Sequence, residues 1–161
     1  MRAVTDTCRA VVLTKFPNHS SDHRVKTDVP AFNRFRESDR ETMIVPGLTL
    51  NSQVETGLID VDRVGLVSID TQGHEAHVLA GARRLRGANV PVMLEYWPCG
   101  LRAAGGHELL HEVVRDSFVR YVDLATPIEE GRLVSHPVAD LRLLDERLGE
   151  IGWADILLLS Q

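Results

Sequence analysis

The sequence is poor in cysteine and in long apolar runs, and each shortage excludes a class of protein. Its two cysteines, Cys8 and Cys99, lie far apart along the chain, which excludes a disulfide framework and a four-cysteine zinc site. No run approaches the roughly 20 apolar residues that cross a bilayer. Met1 to Thr7 lacks the apolar segment of a signal peptide. We therefore expect a cytoplasmic protein whose thiols are reduced.

The sequence also has fewer basic residues than a protein that binds nucleic acid usually has. The chain has 18 Lys and Arg against 23 Asp and Glu, for a net charge of -5. The densest basic cluster is short and consists of Arg83, Arg84 and Arg86. A nucleic-acid binder normally carries a basic face that neutralises phosphates. We therefore expect no nucleic-acid partner and no membrane partner.

What is present is a regular alternation of apolar patterns from residue 46 onwards. Helical spacing and continuous apolar runs alternate, and the runs of strand length cover residues 64–69, 90–97, 118–124 and 155–159. Residues 1–45 instead predict an excursion, with a strand at 10–13, a polar turn at 17–22, a return strand at 23–29 and a loop at 30–41. We expect one α/β domain over residues 1–161, with a largely parallel sheet and an antiparallel pair of last strands at an edge.

Polar side chains follow two of the predicted strands at the point where each strand ends. Asp70 to Glu75 comes directly after the strand at 64–69, and Glu95 lies near the end of the next strand. Ligands of open α/β sheets bind outside the carboxyl ends of the strands. Gly73 permits a tight turn into a helix, whose first backbone N–H groups are expected to be free for a ligand. The sequence therefore predicts a ligand site at this edge.

The segment from Gly65 to Ala82 resembles the central signature of FkbM-type S-adenosylmethionine-dependent methyltransferases. That signature has an aliphatic strand, then Ile-Asp-Val-Glu/Gln-Gly, a Glu, and a helix with Val-Leu-x-Gly-Ala; here Thr71 replaces the usual Val. Flanking segments also resemble the family, so the resemblance covers roughly residues 3 to 98. It implies a Rossmann-like class I methyltransferase sheet, S-adenosylmethionine as cofactor, and O-methylation of a small-molecule or sugar hydroxyl.

Two parts of the family pattern are missing from the sequence. The glycine-rich donor loop Asp-x-Gly-Ala-Asn-x-Gly does not occur, and neither does the acidic residue after the second strand that holds the ribose. Ala3 to Asp6 resembles the Ala-Leu-Ser-Asp that closes the third strand of the family. We therefore expect the C-terminal part of the catalytic domain, without its first three strands and with weak cofactor binding at best. Whether this chain is active alone stays open.

The resemblance and the strand-end position suggest roles for four polar residues. Asp70 is expected to contact the amino-acid end of the cofactor or the acceptor hydroxyl; the alternative is a helix cap. His74 is a candidate general base, or a polar residue that faces solvent. Glu75 is expected to orient His74 or to bind the acceptor; the alternative is that it only complements the helix dipole. Asp6 is a candidate contact to the adenine of the cofactor.

Glu95 and a preceding polar segment complete the predicted site. Glu95 and Asp70 are expected to flank a substrate or a divalent metal, although a hydrogen-bonded glutamate at a strand end explains Glu95 equally well. A loop that folds over the pocket would supply substrate contacts, whereas a solvated turn is the favoured interpretation of the same segment. Its residues are Asp22, His23 and Arg24.

Two other functions remain open. The segment His107-Glu108-Leu109-Leu110-His111 matches HExxH, in which two histidines one helical turn apart bind zinc and the Glu activates water. This predicts a zinc hydrolase, but the sequence offers no third ligand at the spacing of the longer zinc motifs. A non-catalytic remnant is the other alternative, because a sheet with missing strands has an open edge that favours self-association.

Overall fold

The computed structural model describes residues 2–15, 23–27, 39–126 and 133–160, which form two mixed β-sheets and six helices. Two 3-10 turns, Val61–Arg63 and Val138–Asp140, complete the described elements. The strands are Ala3–Val4 (β1), Ala10–Lys15 (β2), Arg24–Val25 (β3), Glu41–Leu48 (β4), Val67–Ile69 (β5), Val92–Tyr96 (β6), Arg120–Asp123 (β7), Ser135–Pro137 (β8) and Ala154–Leu159 (β9). The helices are Leu50–Glu55 (α1), Glu75–Ala80 (α2), Arg83–Gly87 (α3), Pro98–Ala103 (α4), His107–Ser117 (α5) and Leu143–Leu148 (α6).

The smaller sheet is built from the first part of the chain in the order β1-β4-β2-β3. β2 pairs antiparallel with β3, which confirms the predicted hairpin, and β4 pairs antiparallel with β2 and parallel with β1. β4 runs across residue 45, so the excursion and the region after it share one strand. The polar turn predicted at 17–22 and most of the loop predicted at 30–41 lie outside the described residues.

The larger sheet has the order β5-β6-β9-β7-β8. Of its neighbouring strands in the described chain, only β5 and β6 pair in parallel, so the prediction of a largely parallel sheet is wrong. The last two predicted strands, β7 and β9, are antiparallel as expected, but β9 is inserted between β6 and β7 rather than at an edge. Because β9 is antiparallel to both neighbours, β5, β6 and β7 point the same way.

Helices on this sheet form the main core. α2 packs against α5, and Leu79, Leu94, Leu110 and Ile156 are among its fully buried side chains. The single helix predicted after Glu75 is divided into α2 and α3 at Gly81, whose carbonyl oxygen accepts from the Asn51 amide at 2.8 Å. A Cβ at Gly81 would lie 2.4 Å from the carbonyl oxygen of Thr5, so this close contact requires a glycine. None of the helices within the described ranges is long and apolar enough to span a bilayer.

The strand predicted at 64–69 differs from the observed one in length and burial. Only β5 is extended and paired, and Leu66 just before it is 50% exposed. The continuous apolar run predicted a strand buried on both faces. β5 instead lies at the edge of its sheet, where one side has no neighbouring strand among the described residues. Its carboxyl end still lies beside that of β6, and this positions the candidate site.

Candidate functional site

Three acidic side chains meet where β5 and β6 end; we call them the carboxylate cluster. Asp70 follows β5, Glu95 lies in β6 and Glu75 begins α2. Each contributes an oxygen atom, and these oxygens lie within 4.8 Å of one another. The carboxyl ends of parallel strands meet at one edge of a sheet, so this convergence follows from the β5–β6 pairing. The catalytic roles of the three residues stay predictions.

Glu75 is the buried member of the carboxylate cluster, with 0% exposure. Its Oε1 accepts hydrogen bonds from the Thr71 amide at 2.9 Å, the Thr71 hydroxyl at 3.2 Å and the Gly73 amide at 3.0 Å. Its Oε2 is buried and has no hydrogen-bond partner among the described residues. Burial raises the pKa of Glu75, although these hydrogen bonds act to lower it. Two amides of the turn before α2, those of Thr71 and Gly73, are therefore occupied by Glu75.

Glu95 is half-buried and carries a perturbed carboxyl group. Burial, followed by the negative charges of Asp70, Glu75 and Asp155, raises its pKa to about 7. Asp155 is the residue opposite Glu95 on β9. The Gln72 side-chain amide donates to Asp70 Oδ1 at 2.9 Å and to Glu95 Oε2 at 3.5 Å, so it bridges two of the carboxylates. Glu95 can consequently gain and lose a proton near neutral pH.

Arg24 approaches the site from the smaller sheet. Its side chain is 4% exposed, and its guanidinium carbon lies 5.5 Å from the ring centroid of Trp97. Its positive charge lowers the pKa of Glu95, in opposition to the acidic neighbours. The solvated turn that we favoured is therefore wrong for Arg24. His23 is exposed, and Asp22 lies outside the described residues; substrate binding by all three stays a prediction.

The turn that carries the carboxylate cluster packs tightly against α4. Gly73 has φ of 101°, and a Cβ there would lie 2.8 Å from the carbonyl oxygen of Gly100. A Cβ on Gly100 would in turn lie 2.1 Å from the indole ring of Trp97. Sequence reasoning missed Gly100 and Trp97. The available signal was the aromatic pair Tyr96-Trp97 directly after Glu95.

His74 is 8% exposed, so it does not face solvent. Its Nε2 lies 3.0 Å from the Thr5 hydroxyl, which donates its own proton to Asp6 Oδ1 at 3.0 Å. His74 Nε2 must then be the donor to Thr5, which leaves Nδ1 as a buried acceptor without a partner among the described residues. Burial and the adjacent His77, whose ring stacks at 4.4 Å, lower the pKa of His74 to about 4. Thr5, rather than Glu75, holds the ring.

Asp6 also meets this pair of histidines. His77 Nδ1 lies 3.3 Å from Asp6 Oδ2, and His77 Nε2 lies 3.1 Å from the carbonyl oxygen of Ala104. Burial alone would raise the pKa of Asp6, but the hydrogen bonds from His77 and Thr5 lower it below its usual value. Asp6 therefore interacts closely with α2, and its contact to adenine stays a prediction.

A second cluster surrounds Tyr96, the residue after Glu95 in β6; we call Tyr96, His107, His111 and Asp145 the histidine cluster. His107 Nε2 lies 2.9 Å from Asp145 Oδ2, the Tyr96 hydroxyl donates to Asp145 Oδ1 at 2.6 Å, and His111 Nε2 lies 3.0 Å from the Tyr96 hydroxyl. One atom from each of His107, His111 and Asp145 lies within 4.8 Å of the others. Asp145 is thus a third potential metal ligand, which the sequence spacing did not indicate.

Glu108, the residue that would activate water in a zinc hydrolase, is not positioned for that role. Its side chain is 76% exposed and forms an ion pair with Arg142. Its Oε1 also lies 3.3 Å from His107 Nδ1, the ring nitrogen that does not face Asp145. The HExxH pattern therefore brings two histidines together, but the geometry gives no support to hydrolysis.

Comparison with known protein families gives a match over the first part of the chain. A family model described as the methyltransferase FkbM domain matches residues 3–97, which is more than half of the 161 residues. The matched region contains the carboxylate cluster, His74 and Asp6, whereas the histidine cluster lies outside it except for Tyr96. No curated protein and no solved structure matched the chain.

Proposed function

The chain belongs to the FkbM methyltransferase family, and from this we propose that it is an S-adenosylmethionine-dependent enzyme that methylates a hydroxyl of a small molecule or sugar. The carboxylate cluster carries the proposal, because it lies outside the carboxyl ends of β5 and β6, where α/β sheets bind ligands. The common direction of β5, β6 and β7 supports a sheet of the Rossmann-like class that the resemblance implies.

The charge of the carboxylate cluster fits the cofactor. S-adenosylmethionine carries a sulfonium and an ammonium group, and three carboxylates converge here within 4.8 Å. A buried acceptor without a donor is costly, and Glu75 Oε2 is such an acceptor. We assign Asp70, which is exposed, to the ammonium group at the amino-acid end of the cofactor, with Glu75 behind it as a buried acidic group. The cofactor would supply an electrophilic methyl group from its sulfonium when bound. Since the sequence has no glycine-rich donor loop, we expect these contacts alone to bind weakly.

Glu95 is our choice for the group that removes the proton from the acceptor hydroxyl. A base works best when its pKa is near the operating pH, and burial together with acidic neighbours brings that of Glu95 to about 7. Gln72 holds the Glu95 carboxylate beside Asp70. His74, with a pKa of about 4, is a weaker base at neutral pH. Its unpartnered Nδ1 suits it to accept a hydrogen bond from a ligand.

Two measurements on the isotope-labelled chain test this proposal. Amide NMR spectra recorded with millimolar S-adenosylmethionine should shift residues 70–75 and 95. The rate of transfer of a radiolabelled methyl group to a panel of polyhydroxylated acceptors should increase with pH, with an apparent pKa near 7. Glu95→Gln should lower transfer by about 10²–10⁴-fold while the cofactor-induced shifts at residues 70–75 persist. Glu112→Gln, which alters an exposed residue of α5, should change neither the cofactor-induced amide shifts nor the rate of methyl transfer.

Each arm has an outcome that contradicts part of the proposal. No amide shift at residues 70–75 with millimolar cofactor would place the cofactor elsewhere. Wild-type transfer by Glu95→Gln would remove Glu95 from the proton transfer. If transfer is too slow to follow, a ¹³C-detected titration of the Glu95 carboxyl still tests its role, since a pKa below 5 would make it too weak a base.

An interaction module without catalysis is a second candidate. β5 is an edge strand, and the side chain of Leu66 beside it is 50% exposed. Unpaired strand edges and exposed apolar groups favour pairing with another chain. We propose that any self-association uses this edge. Sedimentation velocity should then show dimers that Leu66→Lys weakens, whereas a monomer at all concentrations would count against the module.

A further inference from the structure

The HExxH pattern on α5 places two imidazoles toward an acidic side chain from α6. His107 and His111 are 6% and 4% exposed, and their ring centroids lie 4.8 Å apart. Asp145 reaches them from α6, so that one atom of each of the three residues lies within 4.8 Å of the others. The ligand atoms of a tetrahedral zinc, with bonds of about 2.0–2.1 Å, are separated by roughly 3.3–3.5 Å. The cluster therefore needs only small movements to enclose a metal.

The chemistry of these three groups suits one kind of ion. Two imidazoles and one carboxylate favour zinc and related transition metals over magnesium or calcium, which prefer oxygen ligands alone. The Asp145 side chain is 18% exposed, so water can reach the fourth position of a tetrahedral zinc, which these three side chains leave open. The half-exposed Arg102 guanidinium donates a hydrogen bond to the same Asp145 carboxylate. It can therefore remain hydrogen-bonded to Asp145 when Asp145 binds a metal.

Glu108 supplies the support that ligating histidines usually have. A histidine that binds metal through one nitrogen generally donates its other N–H to a carboxylate, which fixes the ring. His107 Nε2 faces Asp145, and its Nδ1 lies 3.3 Å from Glu108 Oε1. Glu108 is itself held by Arg142. In this geometry the Glu of HExxH orients a ligand.

We propose that His107, His111 and Asp145 form a zinc site that joins α5 to α6, with Glu108 as a positioning residue. The Tyr96 hydroxyl, which touches both His111 and Asp145, lies beside the ligands and links the site to the end of β6. The site is separate from the carboxylate cluster and does not depend on the function proposed above.

Metal binding by the full chain tests this assignment. Protein purified without chelators should contain one zinc per chain by elemental analysis. Zinc titration against a chromophoric chelator should give a 1:1 complex, and cobalt(II) should produce the visible absorption of a tetrahedral site. Asp145→Asn and His111→Gln should weaken zinc binding by more than about 100-fold. His136→Gln removes a histidine from β8, away from the site, and should leave zinc binding unchanged.

A pair of exposed variants keeps the test valid if a buried variant fails to fold. Glu108→Gln should weaken zinc binding by about 10-fold, the effect expected for loss of an outer-shell carboxylate. Glu112→Gln makes the same charge change one turn further along α5 and should have no effect. No binding at micromolar zinc would overturn the proposal. Equal zinc affinities of the wild type and Asp145→Asn, or of Glu108→Gln and Glu112→Gln, would overturn it too.

Discussion

The carboxylate cluster and the histidine cluster meet β6 at neighbouring residues, Glu95 and Tyr96, whose side chains point to opposite faces of the sheet. The carboxylate cluster brings like charges within 4.8 Å and leaves Glu75 Oε2 without a donor in the described chain. The histidine cluster instead pairs donors with acceptors, with Asp145 accepting from both Tyr96 and His107.

The difference shows what holds each cluster in place. The surrounding backbone holds the carboxylate cluster together against its own repulsion, so a cationic or hydroxyl-bearing ligand would stabilise it. The histidine cluster contributes to the stability of the fold itself. Burial and the hydrogen bond to Asp145 raise the pKa of Tyr96, so its hydroxyl remains a donor. Removing one carboxylate should therefore have opposite effects in the two clusters.

The largest effect should come from the turn that carries the carboxylate cluster. Gly73→Ala forces a Cβ to within 2.8 Å of the Gly100 carbonyl and places alanine at φ of 101°. Strain and overpacking together should lower the free energy of unfolding by about 3 kcal/mol. Urea denaturation measures this. Gly87→Ala, where a Cβ meets nothing within 4 Å, should change it by less than about 0.5 kcal/mol. Equal stability of the two variants would contradict the packing.

The second-largest change in stability is expected from the histidine cluster. Asp145→Asn replaces an acceptor oxygen with an amide that cannot accept from His107 and Arg102. Loss of these charged hydrogen bonds should destabilise the chain by about 2–3 kcal/mol in the presence of a chelator. Glu146→Gln, an exposed change on the same helix, is the control. A neutral Asp145→Asn variant would mean that this network contributes little to the fold.

Glu95→Gln should give a smaller effect of the opposite sign. The pKa of Glu95 rises from 4.5 to about 7 in the folded chain, so the folded state binds its proton more tightly than the unfolded state. The stability that this tighter proton binding contributes is fully present below pH 4.5 and is lost as the pH rises through 7. Because the half-buried group is screened by solvent, we expect Glu95→Gln to stabilise the chain by about 1–2 kcal/mol at pH 8.

Urea denaturation at pH 4 and pH 8 separates this effect from a general change in packing. The variant should be no more stable than the wild type at pH 4, where both carry a neutral side chain at residue 95. Glu112→Gln should leave the pH dependence of the wild type in place. If Glu95→Gln raised the free energy of unfolding equally at both pH values, repulsion among the carboxylates would not be the cause.

The convergence of Asp70, Glu75 and Glu95 was predictable, because strand ends and helix starts leave a local pattern in the sequence. The contact between Asp145 and His107 was not predictable, because it depends on how α6 packs against α5. Arg24 was misread for a similar reason. A charged residue next to a polar turn usually faces water, and only its packing over Trp97 buries it. The position of β9 likewise depends on pairing between distant segments.

The central position of β9 also constrains the order in which the protein forms. β6 pairs with β9 from Val92↔Leu158 to Tyr96↔Ala154, and β7 pairs with the other side of β9. During synthesis, the edges of β6 and β7 that pair with β9 therefore lack that partner until residues 154–159 have been made. Pairing between such distant segments is slow, and exposed edges invite aggregation in the meantime. The pairing of residues 154–159 with both strands is therefore the step that completes this part of the sheet.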